Sequence, residues 1–346
     1  MVQDAIIFKS GKINEYLHLI DLRWFGMRRV LTCFLCEFDD GVIVLDCGSS
    51  IEVKRVWRYA KRNNIPLSSV KYLIPSQHHF DHAGGMWMLY EKVRKHNPEV
   101  KILTNQKTKE LFNDFEHHLG RAKRTYKEFV GTMEPIEDDA FRIIEPSSNF
   151  SPDPNSLDFI ETFHKDGKEI KLAILKTPGH TPDHSVIALV KDNEIDFLHS
   201  GEAIGTLYHT KKLVSMPTSM PVYFNYKDFM SSLDNLMKLK TPLKIGMGHS
   251  GVINGKNNVR FFMLEHKDFL KDFRSKVKQY YHEKPETEYV LKKLTPDLEA
   301  RTDTLGGNDK MIFSDIILGV IYGMMVDLGY RVLDDIDIQM IERFQD

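Results

Sequence analysis

Gln77-His78-His79-Phe80-Asp81-His82 is the stretch on which the reading of this chain turns. It follows Lys71-Tyr72-Leu73-Ile74-Pro75, an apolar run of strand character, and precedes Gly84-Gly85, which leads into a helical pattern over 86–95. In extended backbone alternate side chains share a side, so Gln77, His79 and Asp81 are expected to converge while His82 serves a neighbouring position. Two imidazoles and a carboxylate within four residues are nitrogen and oxygen donors suited to zinc, iron or manganese. The two glycines are expected to let the backbone turn tightly beside the ions. A merely hydrogen-bonded loop explains less of this spacing.

Working outward, Leu31 to Phe38 and Gly41 to Asp46 read as strands joined by a hairpin turn at Asp39-Asp40-Gly41. Residues 51–64 switch to helical spacing, with Val53, Val56, Trp57 and Ala60 on one face. Lys101-Ile102-Leu103-Thr104 is another strand, and the charged stretch 107–130 reads as helix, a cap or side element. A Ser-, Pro- and Asn-rich loop over 145–155 precedes strands at 157–164, 170–176, 185–190 and 194–199. A helix is expected at 226–239 and a strand at 243–247. From about 256 the pattern is helical to the end, after strands and helices that alternate up to 251. This predicts an α/β domain over 1–255 and a helical C-terminal extension over 256–346.

Three further polar residues stand beside glycine after apolar strands: His180 in Thr177-Pro178-Gly179-His180, Glu202 in Gly201-Glu202, and His249 in Gly248-His249. Loops at strand ends are where rigid scaffolds present functional groups.

The order and context of these segments resemble the metallo-β-lactamase superfamily, whose first motif is His-x-His-x-Asp-His, followed by a lone His, a lone Asp and a final His. Asp46-Cys47-Gly48 also matches that family's strand-ending Asp-x-Gly. The resemblance covers roughly residues 5–255 and implies a four-layer αββα sandwich. Carried over residue by residue, it implies one metal at His79 and His180, with Gln77 where the family has its first His. A second metal would be held by Asp81, His82 and His249. Glu202, where the family has its bridging Asp, would lie between them. Gln77 is a neutral amide and a poorer donor than imidazole, which leaves the first site with His79, His180 and Glu202. Two His and one carboxylate with open positions is also the ligand set of non-haem Fe(II) oxygenases.

The implied function is a metal-dependent hydrolase using one or two divalent ions, zinc or iron with manganese as a further choice. The substrate is expected to be a small ester, lactone, thioester, amide or phosphoester, with Asp81 orienting the attacking water. The alternatives are a non-haem iron oxidoreductase or oxygen-binding protein on the same fold, and a catalytically weak metal-binding protein. Tyr208, His209 and Tyr223, in the segment after Glu202, are candidate substrate contacts. His184 reads as a support for a ligand, and His78 as facing away from the ions. His117-His118 reads as part of a solvated helical face.

Lys and Arg number 47 against 49 Asp and Glu, a net charge of −2 that gives no global attraction to nucleic acid or an anionic membrane. Three cysteines, Cys33, Cys36 and Cys47, argue against a disulfide framework and predict a cytoplasmic protein. Met1 to Asp4 lack the basic and apolar regions of a signal peptide. Cys33-x-x-Cys36 lies on a strand, where residues three apart face opposite sides, so core thiols are expected. Ile316 to Leu328 is short for a membrane span and reads as a buried helix. The stripe Ile312, Ile316, Val320 and Met324 is expected to be core or a homodimer interface.

Overall fold

A computed structural model describes residues 4–333, so the expectation of helix to the end lies outside the described residues over 334–346. The strands, in chain order, are β1 (Ile6–Ile7), β2 (Gly11–Lys12), β3 (Leu17–Asp21), β4 (Thr32–Phe38), β5 (Gly41–Leu45), β6 (Val70–Ile74), β7 (Lys101–Thr104), β8 (Phe141–Ile143), β9 (Phe159–Lys165), β10 (Lys168–Lys176), β11 (Ser185–Lys191), β12 (Glu194–Gly201), β13 (Lys244–Met247) and β14 (Val252–Asn254). The helices are α1 (Lys54–Arg62), α2 (Phe80–Ala83), α3 (Met86–Arg94), α4 (Gln106–Asn113), α5 (Phe115–Tyr126), α6 (Tyr226–Leu236), α7 (Lys256–Glu283), α8 (Thr287–Glu299) and α9 (Gly307–Asp327).

Seven strands form one sheet in the order β2-β3-β4-β5-β6-β7-β8, and seven form the other in the order β1-β14-β13-β12-β11-β10-β9. The first sheet changes from antiparallel to parallel at β5, where the connections become helical. Between the sheets lies an apolar layer that includes Phe34, Cys36, Ile43, Leu45, Phe163, Leu172, Ile187 and Phe197. Outside the second sheet, Leu233 and Leu236 of α6 and Val259, Phe262 and Met263 of α7 cover Val186, Ala188 and Leu198. Outside the first, α1, α3 and α5 cover Cys33, Leu35, Val42 and Val44. The result is the expected α/β sandwich of four layers. Its order follows from the sequence: strands buried on both faces read as continuous apolar runs, and helices carry one apolar stripe each.

Most expected elements are present within a residue or two. Cys33 and Cys36 are buried and fall in different core layers, one on each face of β4. The charged stretch 107–130 divides into α4 and α5 at Asp114, followed by a short 3-10 turn. The strand β14, too short to show a period, lies beyond the point at which strands were expected to stop.

The C-terminal helices belong to the same core as the first sheet. Leu270, Phe273, Val290, Leu294, Ile316, Val320 and Met324 share one apolar cluster with Leu22, Trp24, Phe80 and Tyr126. The stripe Ile312, Ile316, Val320 and Met324 of α9 is buried within its own chain. No helix among the described residues is long and apolar enough to cross a membrane.

His266 of α7 is fully buried, hydrogen-bonds Ser215 at 2.9 Å, and has no partner for Nε2. Burial, and secondarily Arg301, pushes its pKa down from 6.5 to about 3. The folded state therefore excludes a proton that the unfolded chain accepts, so this contribution is present above the unfolded pKa and is lost as pH falls toward 3. Between pH 7 and 5 the loss from this one group is about 2 kcal/mol. A His266→Gln variant is expected to lose about that much less than the parent over the same range, as read from urea midpoints.

Candidate metal centre

The site forms at one end of the sandwich, where five chain segments leave their strands. Asp46 follows β5, Gln77 to His82 follow β6, His180 lies between β10 and β11, Glu202 follows β12, and His249 follows β13. The segment after β6 does not stay extended: His79 caps the single turn α2, which holds Asp81 and His82. The alternation expected from strand geometry therefore fails, and His82 reaches the same cluster as Asp81.

Two groups of donors meet there. His79 Nδ1 lies 3.1 Å from His180 Nε2, which lies 2.7 Å from Glu202 Oε2. His249 Nε2 and His82 Nε2 lie 3.6 and 3.8 Å from Asp81 Oδ2. Glu202 faces both groups, with Oε2 3.2 Å from His82 Nε2 and Oε1 3.6 Å from His249 Nε2. Donors sharing one ion about 2.1 Å away lie within roughly 4 Å of each other; the distances above are in that range, and within each group all the ligand atoms lie within 4.8 Å.

Three imidazoles are held in the tautomer that ligation needs. His180 Nδ1 donates to the Thr218 carbonyl and His249 Nδ1 to the Val30 carbonyl, each at 2.7 Å. His82 Nδ1 donates to Asp46 Oδ2 at 3.0 Å. Each bond leaves Nε2 facing the cluster, where a cation would take the place of any Nε2 proton. His82 Nε2 and Gln77 Oε1 are buried and make no hydrogen bond. Such orphaned polar atoms are costly without a partner, and a cation would satisfy both. The residues therefore fit one or two divalent ions.

Gln77 lies in the cluster, and its Nε2 donates to Glu202 Oε2 at 2.8 Å. As oriented here it positions the carboxylate. The amide oxygen, assigned from the same hydrogen-bond network, is the atom that would ligate.

Electrostatics set the charges. Burial alone would raise the carboxyls of Asp46 and Glu202. His199 and His82 beside Asp46, and His180 beside Glu202, hold both well below the usual range. Burial would also deprotonate His82, but Asp81 and Asp46 outweigh it and hold its pKa well above the ordinary value. His79 is pushed well down by burial and by His78 and His180.

Asp46 was marked in the sequence by Asp46-Cys47-Gly48, but its partners His199 and Ser76 were not. Asp46 accepts from His82, from His199 Nε2 at 2.8 Å, and from Ser76 twice. His184 acts as expected, a brace that accepts from the Glu202 amide at 3.1 Å. Gly201 gives it room: φ is +49°, and a Cβ there would stand 2.6 Å from His184 Nε2. Gly84 and Gly85 have ordinary negative φ, so tight turning is not their role; a Cβ on Gly85 would stand 2.7 Å from the Ser49 carbonyl.

His78, expected to face away from the cluster, is buried with Nδ1 2.9 Å from Asp183, whose other oxygen Thr108 holds, and it also forms a potential ligand group with His79 and His118. His118 corrects the solvated-face expectation. Its ring stacks on His79 with centroids 5.1 Å apart, and its Nε2 accepts the Phe80 amide. Burial, with His78 nearby, lowers its pKa to about 3. His118 lies beside Leu119 on the face of α5 that also carries Phe115, Ala122 and Tyr126 inward, a helical spacing that the surrounding charges mask in the sequence.

A cavity of about 500 Å³ opens from the cluster. Tyr208 and Tyr223, two of the three candidate substrate contacts, line it. His209 does not. It has positive φ and turns outward, bonding the Arg28 carbonyl and the Arg29 guanidinium. It is a tie between loops rather than a cavity residue. The opposite wall is α9, including Ile316, Gly319 and Val320.

A sequence model of the metallo-beta-lactamase superfamily matches residues 28–249. The chain belongs to this superfamily. Among solved structures, it resembles an archaeal metallo-beta-lactamase superfamily protein from Sulfolobus tokodaii (19% identity, TM-score 0.57, covering 90% of this chain and 99% of that one). It also resembles a metallo-beta-lactamase family protein from Thermus thermophilus (15%, 0.52, 86% and 89%). A third is a metallo-beta-lactamase from Cronobacter sakazakii (13%, 0.51, 78% and 95%). At these identities the likeness shows the superfamily fold alone.

The wall and the ligands are coupled. A Cβ on Gly323 of α9 would lie 1.9 Å from the Ser219 carbonyl, and Ser219 Oγ donates to the Val320 carbonyl at 2.6 Å. Thr218, the residue before Ser219, holds His180. Gly323→Val is therefore expected to lower metal affinity at least tenfold by displacing the Thr218 carbonyl. Asp46→Asn, which weakens the hold on His82, is expected to cost 10–100-fold. Calorimetric titration of metal-free protein with zinc reads both.

Proposed function

We propose that this protein is a metal-dependent hydrolase acting on a small molecule. The observation that carries the reading is Glu202, facing two groups of pre-oriented donors at the mouth of a cavity large enough for a substrate. Bound divalent ions supply Lewis acidity there and bring the pKa of a water down toward 7. Asp81, on α2 beside His82 and His249, is placed to orient the attacking water and take its proton. The hydrogen bonds from His82, His180 and His249 to fixed acceptors hold the donors rigid during turnover. The cavity walls exclude bulk water from the reacting bond. Ester, lactone, thioester, amide and phosphoester bonds fall within this chemistry.

A second reading has its own observation. His79, His180 and Glu202 form a two-His, one-carboxylate group, and Gln77 adds no negative charge. That set suits Fe(II) and oxygen chemistry.

Elemental analysis of protein purified in air and anaerobically, followed by assay on a panel of these bonds, separates the readings. Stoichiometric zinc or manganese is expected, with turnover abolished by chelation and restored by metal. Asp81→Asn is expected to lower kcat by about 10²–10⁴. Iron with an oxygen-sensitive visible spectrum and no hydrolysis overturns the proposal. Stable metal with no turnover of any kind leaves a binding protein.

A further inference from the structure

The cavity carries more than size. Beyond the donor cluster its lining is mainly aromatic and aliphatic, and includes Trp24, Tyr126, Met220, Ile316 and Val320. All but Met220 are largely buried. The wall from α9 is apolar apart from Asp315, and its face is pressed against the 216–222 loop at Gly319 and Gly323, where a side chain would find no room. An apolar space of this size costs free energy to keep hydrated and favours an apolar guest.

A second, independent observation lies beside the donors. Tyr208 lines the same cavity with its ring centroid 5.9 Å from that of His249. Its hydroxyl is buried and has no hydrogen-bond partner. A phenol is protonated at neutral pH and can donate. Trp24 Nε1, also buried and unpartnered, belongs to another lining residue, whose ring centroid is 6.1 Å from that of His249. Trp Nε1–H can only donate. Two unsatisfied donors beside one ligand call for an acceptor oxygen brought in by the guest.

Resting on the hydrolase reading above, we propose that the substrate is a carboxylic ester or thioester with an extended apolar acyl group. Its chain lies along the α9 wall, and its carbonyl oxygen accepts a hydrogen bond from Tyr208. Water adds to the acyl carbon and a new C–O bond forms. The C–O or C–S bond to the leaving group breaks, and the departing alkoxide or thiolate keeps the electron pair. It takes the proton that water gives up, so the products are a carboxylic acid and an alcohol or thiol. Negative charge grows on the carbonyl oxygen as water adds, and a donor fixed beside it acts in that transition state.

The test uses the full chain loaded with metal. Hydrolysis of p-nitrophenyl esters from acetate to decanoate is compared with that of the matching acyl thioesters and of bis-p-nitrophenyl phosphate. In parallel, calorimetry measures binding of alkanoates of the same chain lengths. The proposal expects kcat/KM to rise about fourfold per methylene until the cavity is filled. It expects the ester and thioester arms to identify the leaving group. Val320→Trp is expected to lower the decanoate-to-acetate ratio of kcat/KM at least tenfold. Tyr208→Phe is expected to lower kcat about 10²-fold with KM nearly unchanged, and its metal content and thermal midpoint establish that it is folded.

A flat chain-length profile, or preference for the phosphodiester, overturns this inference and leaves the hydrolase reading intact. No turnover, with alkanoate binding that tightens with length, overturns the hydrolase reading and leaves the acyl cavity. No turnover and no dependence of binding on length overturns both.

Discussion

The buried carboxylate of Asp46 is the contact on which the rest depends. It sits at the end of β5 with φ of +54° and accepts four hydrogen bonds, from Ser76 N, Ser76 Oγ, His82 Nδ1 and His199 Nε2. Those partners come from both sheets and from the turn that carries the ligands. A charge this deeply buried is unfavourable by several kcal/mol unless neighbours compensate it, and two imidazoles do so. The same network that makes the burial tolerable fixes the register between the sheets and aims His82.

A division of labour follows from this geometry. The candidate metal donors sit on strand ends and on one short helical turn, braced by backbone carbonyls and carboxylates. Under the proposed function, selectivity falls to the other wall, built from α5, the 216–222 loop and α9. The two halves meet at Thr218, whose carbonyl holds His180 and whose hydroxyl donates to the Glu202 carbonyl at 3.3 Å. A change in the wall that shifts this residue reaches the donors through two bonds.

Much of the sandwich was legible because strands buried on both faces and one-sided helices leave clear patterns. The candidate donors were legible from the close spacing of Gln77, His79, Asp81 and His82 after one strand and from His180, Glu202 and His249 beside glycines after others. What escaped has physical reasons. The direction of His82 depends on a helical turn of four residues, too short to show a period. His199 lies within the apolar run of β12, where sequence alone gives no sign that it meets Asp46. The Thr218 and Val30 carbonyls are backbone atoms with no residue signature. His209 looked like its neighbour Tyr208, and only the positive φ at that position turns it away. The clue to α9 was present in Gly319 and Gly323, four residues apart on one face, which mark a close approach of backbone. The sequence does not say what that face approaches.

The packing of α9 on Ser219 and Met220 also bears on the order in which the protein can mature. Translation delivers His79 to His249 long before it delivers Gly319 and Gly323. Until α9 emerges from the ribosome and docks, Ser219 lacks its Val320 partner, and the segment that restrains His180 is unpinned on one side. The candidate donors are therefore all made before α9, while the segment that braces His180 gains its Val320 partner only when α9 docks.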